Sequence, residues 1–452
     1  MIRRLTRAAP GLFAAAALTF AALAASGAHA ELRRHAFLGL GLGPAAAAEG
    51  QAQPGMPVTA VTPNGTAAAA GLQVGDRLIS LNGRAINQGA HLTRTAAGLR
   101  AGDEARFVVL RSGTEMTLTA PAAPRAPEVF AGGTVDAGEV PFDGGRLRDM
   151  LVMPSNATAE TPVLYLIQGH TCMTMDNGGG FGPYRALIEG LLARGVGVYR
   201  VEKPGMGDSD SPRDCYSISY ETETAGFQAA YDALVERRGI APERIFILGH
   251  SMGGLQAPQL AARRAPAGVA VYGTVLRNWA DYLQGIYSFQ AWLADPSVDP
   301  GQNYAEAEAL RAEQMDYYFS GRDPRETVRM RPQAEAALRN LGWDGEDQVD
   351  GHHWSYFQSI ARVNLPAAWR DTRSPVLAVH GSDDWIAYSR EDHELIARLV
   401  NNQRPGTARF VSLEGLNHGM ASVAAGQNGQ RAYDPAFTGL IADWIEEISA
   451  AR

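Results

Sequence analysis

Lysine is all but missing from this chain. Of the 40 basic residues 39 are arginine and Lys203 stands alone, a bias that nucleotide composition produces without any chemistry. Cysteine is nearly as scarce, with Cys172 and Cys215 the only two in 452 residues. That excludes a disulfide-dense scaffold. The histidines and cysteines fall into no metal-ligand spacing, so neither a metal nor a cofactor is expected. An excess of positive charge is absent as well: the formal net charge is -8, which leaves a nucleic-acid partner without an electrostatic footprint. After Ala30 no apolar run is long enough for a bilayer core of roughly 30 Å, so no stable membrane insertion is expected.

The N-terminus carries an apolar run of a different kind. MIRRLTRAAPGLFAAAALTFAALAASGAHA places Arg3, Arg4 and Arg7 ahead of an apolar stretch and ends in Ala28-His29-Ala30. This pattern reads as a secretory signal peptide over residues 1–30, cut after Ala30, and makes the mature protein periplasmic or secreted. No cysteine lies near the cut, which argues against a lipoprotein. Arg3-Arg4 fits a twin-arginine signal only weakly, so the export route stays open. Cleavage removes three arginines and no acid, leaving 37 basic and 48 acidic residues, a net of −11.

Residues 31–120 read as short strands and turns with one helix near 88–99. Within GMPVTAVTPNGTAAAAGLQVGDRLISLNGRAI (55–86), apolar and polar residues alternate and turns fall at Pro63-Asn64-Gly65, Gly75-Asp76 and Asn82-Gly83. The run ending in Ala70-Gly71-Leu72, with Gly75-Asp76 and Asn82-Gly83, resembles a bacterial PDZ domain. The resemblance implies that Phe37, Leu38, Gly39 and Leu40 form a carboxylate-binding loop, where a peptide C-terminus adds a strand to the sheet edge. The plainer reading is a PDZ fold that only packs on its neighbour. Residues 121–133, PAAPRAPEVFAGG, have the composition of a linker.

From 162 onward strands alternate with helices: PVLYLIQG (162–169), VGVYRVEK (196–203), RIFILGH (244–250), GVAVYGTV (268–275), PVLAVHG (375–381) and ARFVSLE (408–414). Continuous apolar strands between helices predict an α/β fold, a doubly wound and mostly parallel sheet covered on both faces. Residues 276–370 interrupt the alternation. They are mostly helical, hold five of the seven tryptophans, and are expected to form a lid over the C-terminal ends of the strands.

Gly249-His250-Ser251-Met252-Gly253 lies between such a strand and a helix. A G-x-S-x-G pentad alone is weak, but in this context it resembles the nucleophile elbow of the α/β-hydrolase superfamily, over residues 134–452. The resemblance implies Ser251 as nucleophile, followed in chain order by an acid and a histidine, each at a strand's C-terminal end. His418 is the expected base, because His393 lies inside a helix and reads as a surface residue. The superfamily's G-x-x-D spacing after PVLAVHG selects Asp384, with the adjacent Asp383 as the alternative. Oxyanion N–H groups are expected from Met252 and from the loop after 162–169, where His170 is the first choice and Thr171 its neighbour. In the loop at 200–209 Lys203 reads as solvated, with an ion pair at the base of the loop as the alternative. The superfamily's sheet order makes the strands before Cys172 and Cys215 neighbours, and export permits oxidation, so a disulfide is expected between them.

The implied activity is a serine hydrolase acting on a small-molecule or acyl substrate through an acyl-enzyme, with carboxylic esters favoured. The aromatic residues of the lid suit an apolar acyl pocket, although most of them are expected to pack the lid helices together. The alternative is a serine peptidase or amidase whose PDZ domain recruits peptides. A third reading, from a different class, is an adaptor built on an inactive hydrolase scaffold, against which the intact Ser-Asp-His set argues. The sheet looks complete without residues 31–124, so the hydrolase is expected to fold in their absence.

Overall fold

The computed structural model describes residues 32–44, 54–176 and 182–452. The signal peptide read over 1–30 lies outside the described residues. No helix among the described residues is long and apolar enough to cross a membrane.

The N-terminal part is a small antiparallel sheet with two helices. Its elements are β1 (Leu40–Leu42), β2 (Met56–Val61), α1 (Thr66–Ala70), β3 (Arg77–Leu81), β4 (Arg84–Ala85), α2 (Gly89–Ala97), β5 (Glu104–Arg111) and β6 (Thr114–Pro121). They pair in the order β1-β2-β3-β5-β6, with β4 beside β3. Asn82 and Gly83 both take positive φ, as the tight turn joining β3 to β4 requires. Leu38, Val58, Leu78, Leu81, Phe107 and Val109 form the core of this sheet.

The larger part opens with a hairpin that the alternation of apolar strands does not announce, β7 (Gly133–Phe142) and β8 (Gly145–Pro154). β7 is largely exposed or half-exposed while residues 147–152 of β8 are all buried, Arg148 and Asp149 among them, and the antiparallel pair is closed by Asp143-Gly144 with both residues at positive φ. Then follow β9 (Val163–Ile167), α3 (Gly182–Ala193), β10 (Gly197–Val201), α4 (Tyr220–Glu236), β11 (Ile245–His250), α5 (Gly253–Arg263) and β12 (Gly268–Tyr272). The intervening segment holds α6 (Trp279–Gly285), α7 (Ala291–Ala294), α8 (Pro300–Ser320), α9 (Pro324–Met330), α10 (Ala334–Asn340), the short pair β13 (Gln348–Val349) and β14 (His352–His353), α11 (Ser355–Ile360) and α12 (Leu365–Asp371). The chain ends with β15 (Val376–Gly381), α13 (Arg390–Gln403), β16 (Ala408–Leu413) and, after two short strands, α14 (Pro435–Ala450).

The eight-stranded sheet runs β16-β15-β12-β11-β9-β10-β8-β7. It is parallel from β16 to β10 and antiparallel over β8 and β7. Every residue of β9, β10, β11, β12 and β15 is buried, because helices cover both faces. Leu187, Leu191, Phe437, Ile441 and Trp444 pack on one face. Phe227, Tyr231, Leu260, Ile396 and Val400 pack on the other. The helices of the intervening segment pack around Tyr317, Tyr318, Leu338, Tyr356 and Ile360, in a cluster that takes in Tyr220, Met252 and Leu255 of the α/β body.

Residues 32–452 pack as one compact unit. The Arg34 guanidinium bonds Asp176 at 2.7 Å and Asp208 at 2.6 Å, and the His35 N–H donates to Asp208 at 2.6 Å. Arg100 donates to the Ser209 carbonyl, and the buried Arg148 to that of Leu32. Residues 121–133, despite their composition, are pinned to both parts: Ala122 packs in the core of the small sheet, and Glu128 and Phe130 dock on the larger one. Phe130 is 2% exposed, and Arg200 grips Glu128 through two hydrogen bonds of 2.5 and 3.1 Å. Pro and Ala content says nothing about whether one aromatic and one carboxylate in a segment find partners, and here both do.

Candidate active site

Three glycines make the turn from β11 to α5 possible. A Cβ at Gly249 would collide with the Gly253 carbonyl, one at Gly253 with the Ile167 carbonyl, and one at Gly254 with Thr274. The helix therefore starts hard against the ends of β9 and β12. Between Gly249 and Gly253, Ser251 is held at φ 56°, with its N–H on the Tyr272 carbonyl at 2.9 Å. A non-glycine residue in this left-handed region stores about 1–3 kcal/mol of strain. The surrounding contacts hold it there and lift the hydroxyl above the strand ends.

His418 follows β16, and its Nδ1 lies 2.9 and 3.1 Å from the two carboxylate oxygens of Asp384. Asp384 follows β15, with its carboxylate fully buried. Burial works against its charge. His418 and the Ala387 N–H outweigh burial and hold the carboxyl below its ordinary range. The Ile386 and Ala387 N–H groups donate to Oδ1 at 3.0 and 2.8 Å. Asp383 points elsewhere, to Arg431 at 2.5 Å on the surface. Of the two adjacent acids only Asp384 meets the histidine. Such a pair fixes the imidazole tautomer, with the proton on Nδ1, and leaves Nε2 to accept a proton.

The Met252 and His170 N–H groups donate to no acceptor among the described residues, and both residues line one cavity with Ser251. The direction of the His170 N–H is set from behind. Lys203 Nζ bonds the Gly169 carbonyl at 2.9 Å and that of His170 at 3.4 Å. In a trans peptide the C=O of residue 169 and the N–H of residue 170 point opposite ways. A Cβ placed on Gly169 would lie 2.9 Å from the Ser251 Cβ, so this strand end abuts the elbow.

Two sequence expectations are corrected here. Lys203 is not solvated: it is 1% exposed and paired with Glu223 at 3.2 Å. Burial lowers its pKa and Glu223 opposes the shift. His393 is not a surface residue. Its ring is buried between α13 and the sheet, accepts the Thr274 N–H at 3.1 Å, and is held neutral by burial, its pKa lowered to about 4.

Other contributors carried weaker signals. His250, one place before the serine, accepts from the Tyr184 hydroxyl at 2.6 Å and donates to the His418 carbonyl at 2.9 Å. Burial keeps it neutral, with its pKa lowered to about 3, so it braces the His418 loop from the elbow itself. Gly273 (φ 60°) leaves room for the acid–base pair: a Cβ there would sit 2.9 Å from His418 Nδ1 and 3.0 Å from Asp384 Oδ2. Its place just after a buried strand is the signal that identifies it.

Cys172 and Cys215 form a disulfide with Cα atoms 5.7 Å apart, between loops that follow the paired strands β9 and β10. His352 of the lid lies against it, Nε2 3.5 Å from Cys172 Sγ. These three side chains form a cluster of metal-ligand type. With both sulfurs in the disulfide there is no thiolate to share a metal with the imidazole. Phe37, Leu38, Gly39 and Leu40 line a separate cavity with α2. The lid aromatics divide: Trp279, Tyr282, Tyr287, Tyr318 and Phe357 reach the cavity at Ser251, while Phe289 and Phe319 are exposed.

A family model described as "Alpha/beta hydrolase family" matches residues 175–427, and one described as "PDZ domain" matches residues 36–121. A putative zinc metalloprotease of Mesorhizobium japonicum is 44% identical over 63 residues, 14% of this chain and 17% of that protein. A probable periplasmic serine endoprotease, DegP-like, of Pseudomonas putida is 41% identical over 61 residues, 14% of this chain and 13% of that one. The chain thus aligns with less than a fifth of either relative, and the serine protease matches the PDZ part alone. Solved structures with a similar fold include the proline iminopeptidase of Mycobacterium smegmatis (17% identity, 70% of this chain and 99% of that one, TM-score 0.42) and Est1E from Butyrivibrio proteoclasticus (18%, 70% and 99%, 0.41).

Proposed function

This chain belongs to the alpha/beta hydrolase family, and we propose that it is an exported serine hydrolase cleaving carboxylic esters through Ser251, His418 and Asp384. The observation that carries the reading is a strained serine at a glycine-walled elbow bordering one cavity with a histidine whose Nδ1 is held at 2.9 Å by a buried carboxylate. Ser251 attacks the carbonyl as His418 takes its proton, Asp384 stabilises the imidazolium, and the Met252 and His170 N–H groups receive the oxyanion. Water activated by His418 then releases the acid. Export is supported by the leader-like residues 1–30 and by the Cys172–Cys215 disulfide.

The test is a fluorophosphonate probe with paired ester and amide substrates. Wild type is expected to be labelled at Ser251 and to prefer the ester, and Ser251→Ala to keep less than about a hundredth of the turnover. An unlabelled wild type returns the chain to an adaptor role, and preference for the amide makes it a peptidase. The peptidase reading has one observation in its favour, a PDZ groove that opens toward the hydrolase.

A further inference from the structure

Ser251 stands where two cavities meet. One, of about 350 Å³, lies under the lid and is lined by Trp279, Tyr282, Ile286, Tyr318 and Phe357. The other, of about 420 Å³, lies on the His418 side and is walled by Met173, Thr174, Met175 and Trp385. His170, Ser251 and Ile386 border both. A third cavity, of about 600 Å³, runs between the two parts of the chain. One wall is the PDZ groove, with Phe37 to Gly41 on one side and Leu92 and Ala96 of α2 on the other; the opposite wall is residues 172–174 and 205–207 of the hydrolase. Met173 and Thr174 border the second and third cavities alike. The PDZ groove and the nucleophile are therefore separated by one loop, reached by β9 on one side and stapled to Cys215 on the other.

The groove offers two amides unpaired among the described residues, and a guanidinium. The carbonyls of Phe37, Leu38 and Gly39 accept from Thr66, Ala67 and Thr62 at 2.8–2.9 Å. With those carbonyls turned inward, the N–H groups of Leu38 and Gly39 face away from them, and neither finds an acceptor among the described residues. Arg125, just past the PDZ fold, lines the same cavity. Its guanidinium makes no hydrogen bond or ion pair among the described residues, unlike Arg34 and Arg100 beside it.

Resting on the hydrolase reading above, we propose that the substrate is an acyl group esterified to a peptide that ends in a free carboxylate. The acyl chain fills the lid cavity, the peptide crosses the Met173–Thr174 wall, and its carboxylate is held by the Leu38 and Gly39 amides and Arg125. In the reaction a bond forms between Ser251 Oγ and the acyl carbon as the bond to the peptide oxygen breaks. The serine proton passes through His418 to that leaving oxygen. Water then adds to the acyl carbon, its proton passes through His418 back to Oγ, and the products are a carboxylic acid and a hydroxyl peptide.

The experiment uses the exported full-length protein and three esters of one medium-length acid. The first is esterified to a hydroxyl at the N-terminal end of a short apolar peptide with a free carboxylate. The second is the same compound with its C-terminus amidated. The third is the ester of a simple alcohol. Tethering of this kind raises effective concentration by orders of magnitude, so the free-acid peptide ester is expected to show a KM at least about tenfold below the simple ester. Amidation removes most of that advantage, and Arg125→Gln lowers the ratio of peptide-ester to simple-ester kcat/KM. The unacylated peptide acid competes with the peptide ester and leaves the simple ester untouched. A simple ester turned over as well as the peptide ester, or an amidated peptide as good as the acid, overturns the proposal and leaves the hydrolase reading standing. Acceleration of the simple ester by the unacylated peptide also overturns it, in favour of a regulatory groove. A protein that ignores all three esters and leaves Ser251 unlabelled overturns both.

Discussion

Replacing Lys203 by methionine separates what the only lysine does for the fold from what it does for the site. Its ammonium is buried with three partners, the Gly169 carbonyl at 2.9 Å, Glu223 at 3.2 Å and the His170 carbonyl at 3.4 Å. Methionine fills the volume and removes all three. Glu223 keeps the Gln256 amide at 2.9 Å but loses its counter-charge, and stranding half of a buried pair costs about 3–5 kcal/mol. The freed peptide plane between residues 169 and 170 no longer aims the His170 N–H, and loss of one oxyanion donor costs about 10²–10³ in kcat. Lys203→Met combined with Glu223→Gln removes the stranded charge and leaves the peptide plane untethered. The single variant is therefore expected to lose both melting temperature and kcat. The double variant recovers most of the melting temperature and none of the kcat, while KM for a small ester moves by less than about threefold, as for an interaction made in the transition state. Thermal unfolding and steady-state kinetics on one small ester measure both. A folded double variant with wild-type kcat refutes the reasoning.

Three further outcomes follow from single contacts. Gly273→Ala puts a methyl within 3.0 Å of both His418 and Asp384, so kcat on a small ester is expected to fall at least about tenfold as the pair is displaced, and unchanged kcat would remove Gly273 from the site. Burial raises the Glu202 pKa from 4.5 to about 7, against hydrogen bonds from Thr174 and Met175. Its proton is thus held more tightly folded than unfolded, and the stability it lends below the unfolded value is lost as pH rises through about 7, at most about 3 kcal/mol; melting curves of Glu202→Gln between pH 5 and 8 should lack that part of the slope (roughly one proton's worth). Cys172→Ser opens a 43-residue loop, with an expected loss of about 4 kcal/mol in the chain-entropy model together with lower turnover. Two titratable thiols in the unfolded, unreduced protein would show that the bridge does not form.

What could be read from the residues alone, and what could not, divides along a physical line. The strands of the parallel sheet were legible because burial on both faces forces unbroken apolar runs, as in Val163–Ile167 and Val376–Gly381. Ser251 and the order of Asp384 and His418 were legible because the elbow needs small residues at fixed offsets and the strand ends dictate where partners can stand. The β7–β8 hairpin escaped because β7 is largely wet and the buried run of β8 is broken by Arg148 and Asp149, and its only local mark is Asp143-Gly144. Lys203, His393 and Arg34 were misread or passed over for a common reason. The partner of each lies far off in sequence: Glu223 for the buried Lys203, the Thr274 N–H for the buried His393, Asp208 for the half-buried Arg34. Local pattern carries no trace of such pairs. The docking of Phe130 and Glu128 is the same failure in a segment whose composition suggested the opposite.

The loop from Gly169 to Met175 draws these restraints together. Lys203 holds its start by carbonyls, the disulfide holds Cys172, and Glu202 holds its end by accepting from the Thr174 hydroxyl at 2.5 Å and the Met175 N–H at 2.8 Å. Three different chemistries fix one short stretch, and two of them come from adjacent residues just after β10. An oxyanion donor is effective only where it does not have to reorganise as charge develops. A loop also exposed to a ligand on its other face, as this one is through Met173 and Thr174, would otherwise pass each occupancy of the groove on to the donor. On the proposed reading, anchoring on three sides lets the loop serve as a wall for one cavity and a donor for the other without coupling the two. On that ground the groove is better suited to delivering a substrate than to switching the enzyme.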